Sequence, residues 1–95
     1  MASAKRIEKV FNEFMENDFW KEYYDGAKSD KQKEKIKLDF YYSDTDDESV
    51  MPEILKLEGE FTVEEWKYEL ANTIPSPRVG YIKRKMKEAQ ERENK

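Results

Sequence analysis

The chain contains neither cysteine nor histidine, and those two absences decide which chemistry is within its reach. The commonest zinc ligands, the commonest general base and the thiolate nucleophile are all missing, which leaves carboxylates, lysines, tyrosines, serines and threonines. A protein that is not an enzyme and carries no cofactor is the expectation, and a disulfide framework is excluded. The acidic run Asp44, Asp46, Asp47 and Glu48 is the first of the remaining chemical groups. Its spacing invites comparison with a calcium-binding loop, since Asp44, Asp46 and Glu48 fall at the first, third and fifth ligand positions. The sixth position, which needs a turn glycine, is Ser49, and the twelfth, which needs a bidentate glutamate, is Leu55. No metal is expected there, and the run reads as a solvated acidic loop. As a surface it would face a basic protein partner, and it could place carboxylates where phosphates lie in the groove of a nucleic-acid-binding protein.

The second group is cationic. Arg78, Lys83, Arg84 and Lys87 lie on one helical segment that follows another across a short proline-containing turn. Two helices with a basic second member have the outline of a helix-turn-helix, so DNA binding through segments 63–72 and 77–90 is the alternative function. The third group is aromatic. Tyr23-Tyr24 and Tyr41-Tyr42 are adjacent pairs whose side chains diverge by about 100° on a helix, so one member of each pair faces solvent. Tyr24 and Tyr41 are taken as the partner-facing members, because exposed tyrosines are favoured at interfaces.

The composition bounds these readings. Ninety-five residues make one domain. Charged residues make up 42% and mean hydropathy is −1.13, values that lean toward disorder, but 14% aromatic residues supply the large buried areas that disordered chains lack. The net charge of −4 is unevenly spread: residues 36–72 carry three basic against eleven acidic groups, and residues 73–95 carry seven basic against three acidic. No apolar run approaches the roughly 18 residues of a membrane span, so no membrane partner and a cytoplasmic location are expected. A protein partner is favoured over nucleic acid, with self-association as a further option.

The elements that must position these groups read as helices. Phe61-Thr62-Val63-Glu64-Glu65-Trp66 combines an N-cap threonine, a capping-box glutamate and a hydrophobic staple between Phe61 and Trp66. That helix, with Val63, Trp66 and Leu70 on one face, is expected to centre the core, with Trp66 packed on Phe11, Phe14 and the last helix. Ile7, Val10, Phe11 and Phe14 form the stripe of a first helix, and Asn17-Asp18 break it before a second segment that Gly26 ends. Ser29 to Gln32 repeats the capping-box pattern and predicts a third helix to about Tyr42. Within it Ile36, Leu38, Phe40 and Tyr42 alternate with polar residues, the period of a strand. An α+β alternative therefore pairs 35–42 with 54–61. Ser49 is read as a cap for a short helix holding Pro52 in its first turn, and Ser76-Pro77 starts the last helix, whose seam is Val79, Ile82, Met86 and Ala89. The reading adopted is an all-α domain of about five short helices, frayed at 1–3 and 90–95.

Overall fold

The computed structural model describes residues 4–14, 16 and 18–94, with the side chain of Phe14 outside the description. Six α-helices run in order: α1 Ala4–Phe14, α2 Asp18–Asp25, α3 Asp30–Thr45, α4 Met51–Gly59, α5 Val63–Ala71 and α6 Pro77–Glu93, with a 3-10 turn at Glu48–Val50 leading into α4. The fold is all-α, with one helix more than expected and no strand among the described residues. The strand alternative for 35–42 and 54–61 is corrected: the first stretch lies inside α3 and most of the second inside α4. Alternation misled because α3 is buried on more than one side, packing against α1, α2 and α4. A helix covered all round needs no single apolar stripe.

Local chemistry fixes the helix ends. The Ser29 hydroxyl accepts from the Gln32 N–H at the start of α3, and Thr62 and Glu65 complete the capping box of α5. Ser76 caps α6 ahead of Pro77. Asp46 closes α3 in the left-handed conformation, φ 55°, and its N–H returns to the Tyr42 carbonyl. Asp47 caps the 3-10 turn by accepting from the Ser49 N–H, so Ser49 is a donor there and α4 starts without a side-chain cap of its own. Gly26 ends α2 without the positive φ of a C-cap glycine. Its lack of a side chain matters for another reason, since a Cβ there would stand 2.5 Å from the Tyr68 hydroxyl, which donates to the Tyr23 carbonyl at 2.6 Å.

Two apolar clusters form. One joins Val10 of α1, Leu38 and Tyr41 of α3, Val50 of the 3-10 turn and Ile54 of α4. The other joins Phe61, Trp66 of α5, and Ile82 and Ala89 of α6. Trp66 is fully buried against the α6 seam as expected, with its ring edge-on to Phe61 at 5.1 Å. The expected contact with Phe11 is corrected: that ring packs edge-on to Tyr24 at 4.8 Å, beneath the Lys37 ammonium, on the other half of the molecule. The hub is α3, since it touches most of the other elements, while α5 and α6 form a hairpin of their own. Past Gln90, where fraying was expected, α6 continues to Glu93 and the Arg92 guanidinium donates to the carbonyls of Gly59 and Phe61. The expected fraying at 1–3 lies outside the described residues.

Trp66→Ala is expected to cost about 3–5 kcal/mol in urea unfolding, with Phe11→Ala costing clearly less because that ring is only half-buried. Asp46→Gly should leave the melting temperature unchanged or raise it. Asp46→Val should lower it, because a β-branched side chain resists the left-handed conformation by about 1–2 kcal/mol.

Candidate functional site

Along α3 the residues Gln32, Lys35 and Asp39 follow one another at three and four positions, which stacks them on a single polar face. Across from it, Glu65 and Glu69 stand one turn apart on α5. Gln32 donates to the Glu65 carbonyl and to Glu69 Oε2, each at 3.0 Å, and the Ser29 hydroxyl donates to Glu65. The ammonium of Lys35 is fully buried, 2.5 Å from Glu69 Oε1, 2.5 Å from Asp39 Oδ2 and 3.4 Å from Glu58 Oε2. The Tyr23 hydroxyl adds a third donor to Glu69 at 2.6 Å. From the start of α6, Arg78 donates to Glu58 at 2.9 Å and Tyr81 donates to the same carboxylate at 3.0 Å. Helices α2, α3, α4, α5 and α6 therefore each give at least one side chain to a single buried ion cluster. No buried side-chain polar atom among the described residues lacks a partner.

These surroundings move the titrations in definite directions. Burial works against the charge on Lys35, but the carboxylates of Asp39, Glu69 and Glu58 outweigh it and hold the ammonium above the ordinary lysine range. Arg78 follows the same balance, with Glu58 as its main support. Burial pushes the Asp39 carboxyl up, with Lys35 pulling in the opposite direction. Burial beside Glu69 pushes the Tyr23 hydroxyl far up, and burial beside Glu58 pushes Tyr81 up to about 12.

Above this cluster the surface opens. A cleft of about 630 Å³ is lined by Trp20, Asp39, Tyr42, Ser43, Met51, Ile54, Leu55, Glu58, Pro77, Arg78 and Tyr81. A smaller one of about 290 Å³ is lined by Phe19, Trp20, Tyr23, Asp39, Asn72, Thr73, Ile74, Ser76 and Arg78. The two share Trp20, Asp39 and Arg78, and so form adjoining parts of one groove between α2, α3, α4 and the start of α6. Among the described residues the large hydrophobic ones that stay exposed, Phe19, Leu55 and Ile74 at 57%, 53% and 76%, all line it. A third cleft lies between Glu58, Trp66 and the end of α6, where Lys85 pairs with Glu88 and Arg92 is bonded to backbone carbonyls. No group of acidic residues able to hold a metal ion is found among the described residues.

The residues singled out from sequence are placed as follows. Asp44, Asp46 and Glu48 are exposed at the end of α3 and the start of the 3-10 turn. Asp47 does not belong with them: it accepts from the Ser49 N–H at 3.0 Å and from the Tyr41 hydroxyl at 2.9 Å, and its carboxyl is held below the usual range chiefly by Ser49 and then by Tyr41. Tyr41 as a partner-facing residue is corrected, since it is fully buried in the α1–α3–α4 cluster. The half-exposed member of that pair is Tyr42, which lines the groove. Tyr24 is half-exposed, between the Phe11 ring and the Lys33 ammonium. Of the four basic residues of α6, Lys83, Arg84 and Lys87 are exposed, whereas Arg78 is turned inward to Glu58. Lys35, Glu58 and Glu69 were missed, because an ionisable residue that will be buried looks in sequence like one that will be solvated.

Fold and groove together define a small all-α domain with an open, aromatic-walled cleft above a buried ion cluster. Compared with protein-family models, with curated proteins and with solved structures, the chain matches none of them.

Removing one member of the cluster should be costly. Lys35→Met is expected to lower stability by about 3–5 kcal/mol, because it takes from the buried Glu69 and from Asp39 the cation that lies closest to both. The sign of the pH dependence follows from the raised groups. Lys35, Tyr23 and Tyr81 keep their protons in the fold after the unfolded chain has begun to release them, near the ordinary values of 10.5 and 10.0. The folded state then holds more protons than the unfolded one, so stability falls as pH rises through and beyond about 10. Thermal melts at pH 8 and pH 10.5 should show this loss, and Tyr23→Phe should reduce it.

Proposed function

We propose that the chain is a non-catalytic, regulatory protein-binding module. Its working surface is the groove between α2, α3, α4 and the start of α6, and its occupant is a segment of a partner protein that carries both apolar and basic side chains. The observation that carries this reading is the gathering of Phe19, Leu55 and Ile74 along one groove. Isolated exposed apolar residues need no explanation, but apolar residues that collect along adjoining parts of one groove favour an interaction surface. The walls are aromatic as well, with Trp20, Tyr42 and Tyr81, and such side chains supply large contact area at low entropic cost. The basic character of the occupant follows from charge, since the charged side chains lining the groove are the carboxylates of Asp39 and Glu58 against the guanidinium of Arg78. Asp44, Asp46 and Glu48, in the turns after the groove residues Tyr42 and Ser43, would steer such a segment toward the groove. A cytoplasmic setting belongs to the same reading and suits a cysteine-free chain. A nucleic-acid-binding protein is one source of a basic segment, and its nucleic acid would then compete for it. The helix-turn-helix reading is less well supported, because Arg78 and Tyr81, at the end of α6 that would enter a groove of DNA, are engaged with Glu58.

The triple variant Phe19→Ser, Leu55→Ser, Ile74→Ser tests the groove. All three side chains are more exposed than buried, so its melting temperature should stay close to that of the wild type, each change contributing within about 0.5 kcal/mol. Proteins retained by immobilised wild type should be lost from the variant. Retention of the same proteins by both would show that the groove is not the working surface. Replacing Asp44, Asp46 and Glu48 by Ser or Asn should slow association, most at low ionic strength.

A further inference from the structure

We propose that Asp39 sets the specificity of this groove by receiving a lysine or arginine side chain of the partner segment, an inference that rests on reading the groove as a protein-docking surface. Three carboxylates, Asp39, Glu58 and Glu69, share the cluster with two cations, Lys35 and Arg78. One negative charge is therefore left over.

The geometry says where it is available. Glu58 and Glu69 are 3% and 1% exposed, and both are saturated: Glu58 by Arg78, Tyr81 and Lys35, Glu69 by Lys35, Tyr23 and Gln32. Asp39 is 27% exposed, lines both parts of the groove, and has Lys35 as its partner on Oδ2. It is the most exposed of the three carboxylates, and so the one that a side chain entering the groove can reach. Arg78, although 40% exposed, directs its guanidinium to Glu58 and Glu69, so an acidic side chain entering here would meet more carboxylate than free cation.

The walls favour a side chain over a bare cation. Trp20, Tyr42 and Met51 line the larger cleft together with Asp39. A lysine or arginine stem can lie along such apolar and aromatic surface while its head reaches a carboxylate. Burial already pushes the Asp39 carboxyl up, and an arriving cation would reverse that shift, so binding should draw the proton off any protonated fraction.

Panning a random dodecapeptide display library on the intact protein tests this. Peptides whose binding is lost on the Phe19→Ser, Leu55→Ser, Ile74→Ser variant should carry a lysine or arginine among apolar residues. Changing that residue to methionine in the synthetic peptide should weaken binding to the wild-type protein by about tenfold or more, as expected for loss of a charge-assisted hydrogen bond. Asp39→Asn, checked for folding by circular dichroism, should abolish the difference between the two peptides. Because the peptide substitution is read on wild-type protein, the result stands even if Asp39→Asn folds poorly. Groove-dependent peptides that lack a basic residue, or that tolerate its loss, would overturn the role of Asp39 and leave the groove in place. Peptides indifferent to the triple variant, or no enriched peptide at all, would overturn both.

Discussion

The ammonium of Lys35 is the point on which the structure turns. It sits fully buried on α3 with carboxylates from α3, α4 and α5 around it. A charge in that position is tolerable only when it is paired and hydrogen-bonded. Its pairing links parts of the molecule that the two buried apolar clusters leave separate. One apolar cluster belongs to α1, α3 and α4 and the other to α5, α6 and Phe61. The seam between them is largely polar: Lys35 and Gln32 to Glu69, Ser29 to Glu65, Tyr68 to the Tyr23 carbonyl, and Arg78 and Tyr81 to Glu58. A buried ion pair out of register leaves an uncompensated charge. The cluster thus fixes how the α5–α6 hairpin sits on the rest.

The same residues reach the surface as the floor of the groove. Asp39, Glu58, Arg78 and Tyr81 line the larger cleft and belong to the ion cluster. A ligand pressing on Asp39 or Arg78 would therefore act on the contacts that orient the hairpin. The groove exists because neighbouring residues on one helix serve different sides. Ile54 faces the α1–α3–α4 cluster and Leu55 faces out, while on α2 Trp20 packs edge-on against Phe40 and leaves Phe19 mostly exposed. Ile74 lies in the turn between α5 and α6, where no helix covers it.

Much of this was legible in the residues alone. Capping signals at Ser29, Thr62 and Ser76, the proline at position 77 and the 3.6-residue stripes of α1 and α6 report local backbone preference, and local preference needs no tertiary knowledge. The staple of Phe61 on Trp66 could likewise be read, because both residues belong to one helix start. The all-α class and the burial of Trp66 follow from such signals. What only the tertiary structure decided is which buried positions would be polar and which residues would be left outside. Gln32, Lys35, Glu58 and Glu69 are ordinary surface residues by type, and they become interior because α3 is enclosed by the other helices. Tyr41 and Tyr42 differ by one step of the helix, and the placing of α1 and α4 rather than their own chemistry buried the first and left the second in the groove. Burial is a property of packed elements, and a sequence read locally carries the period of a face without saying what that face will meet.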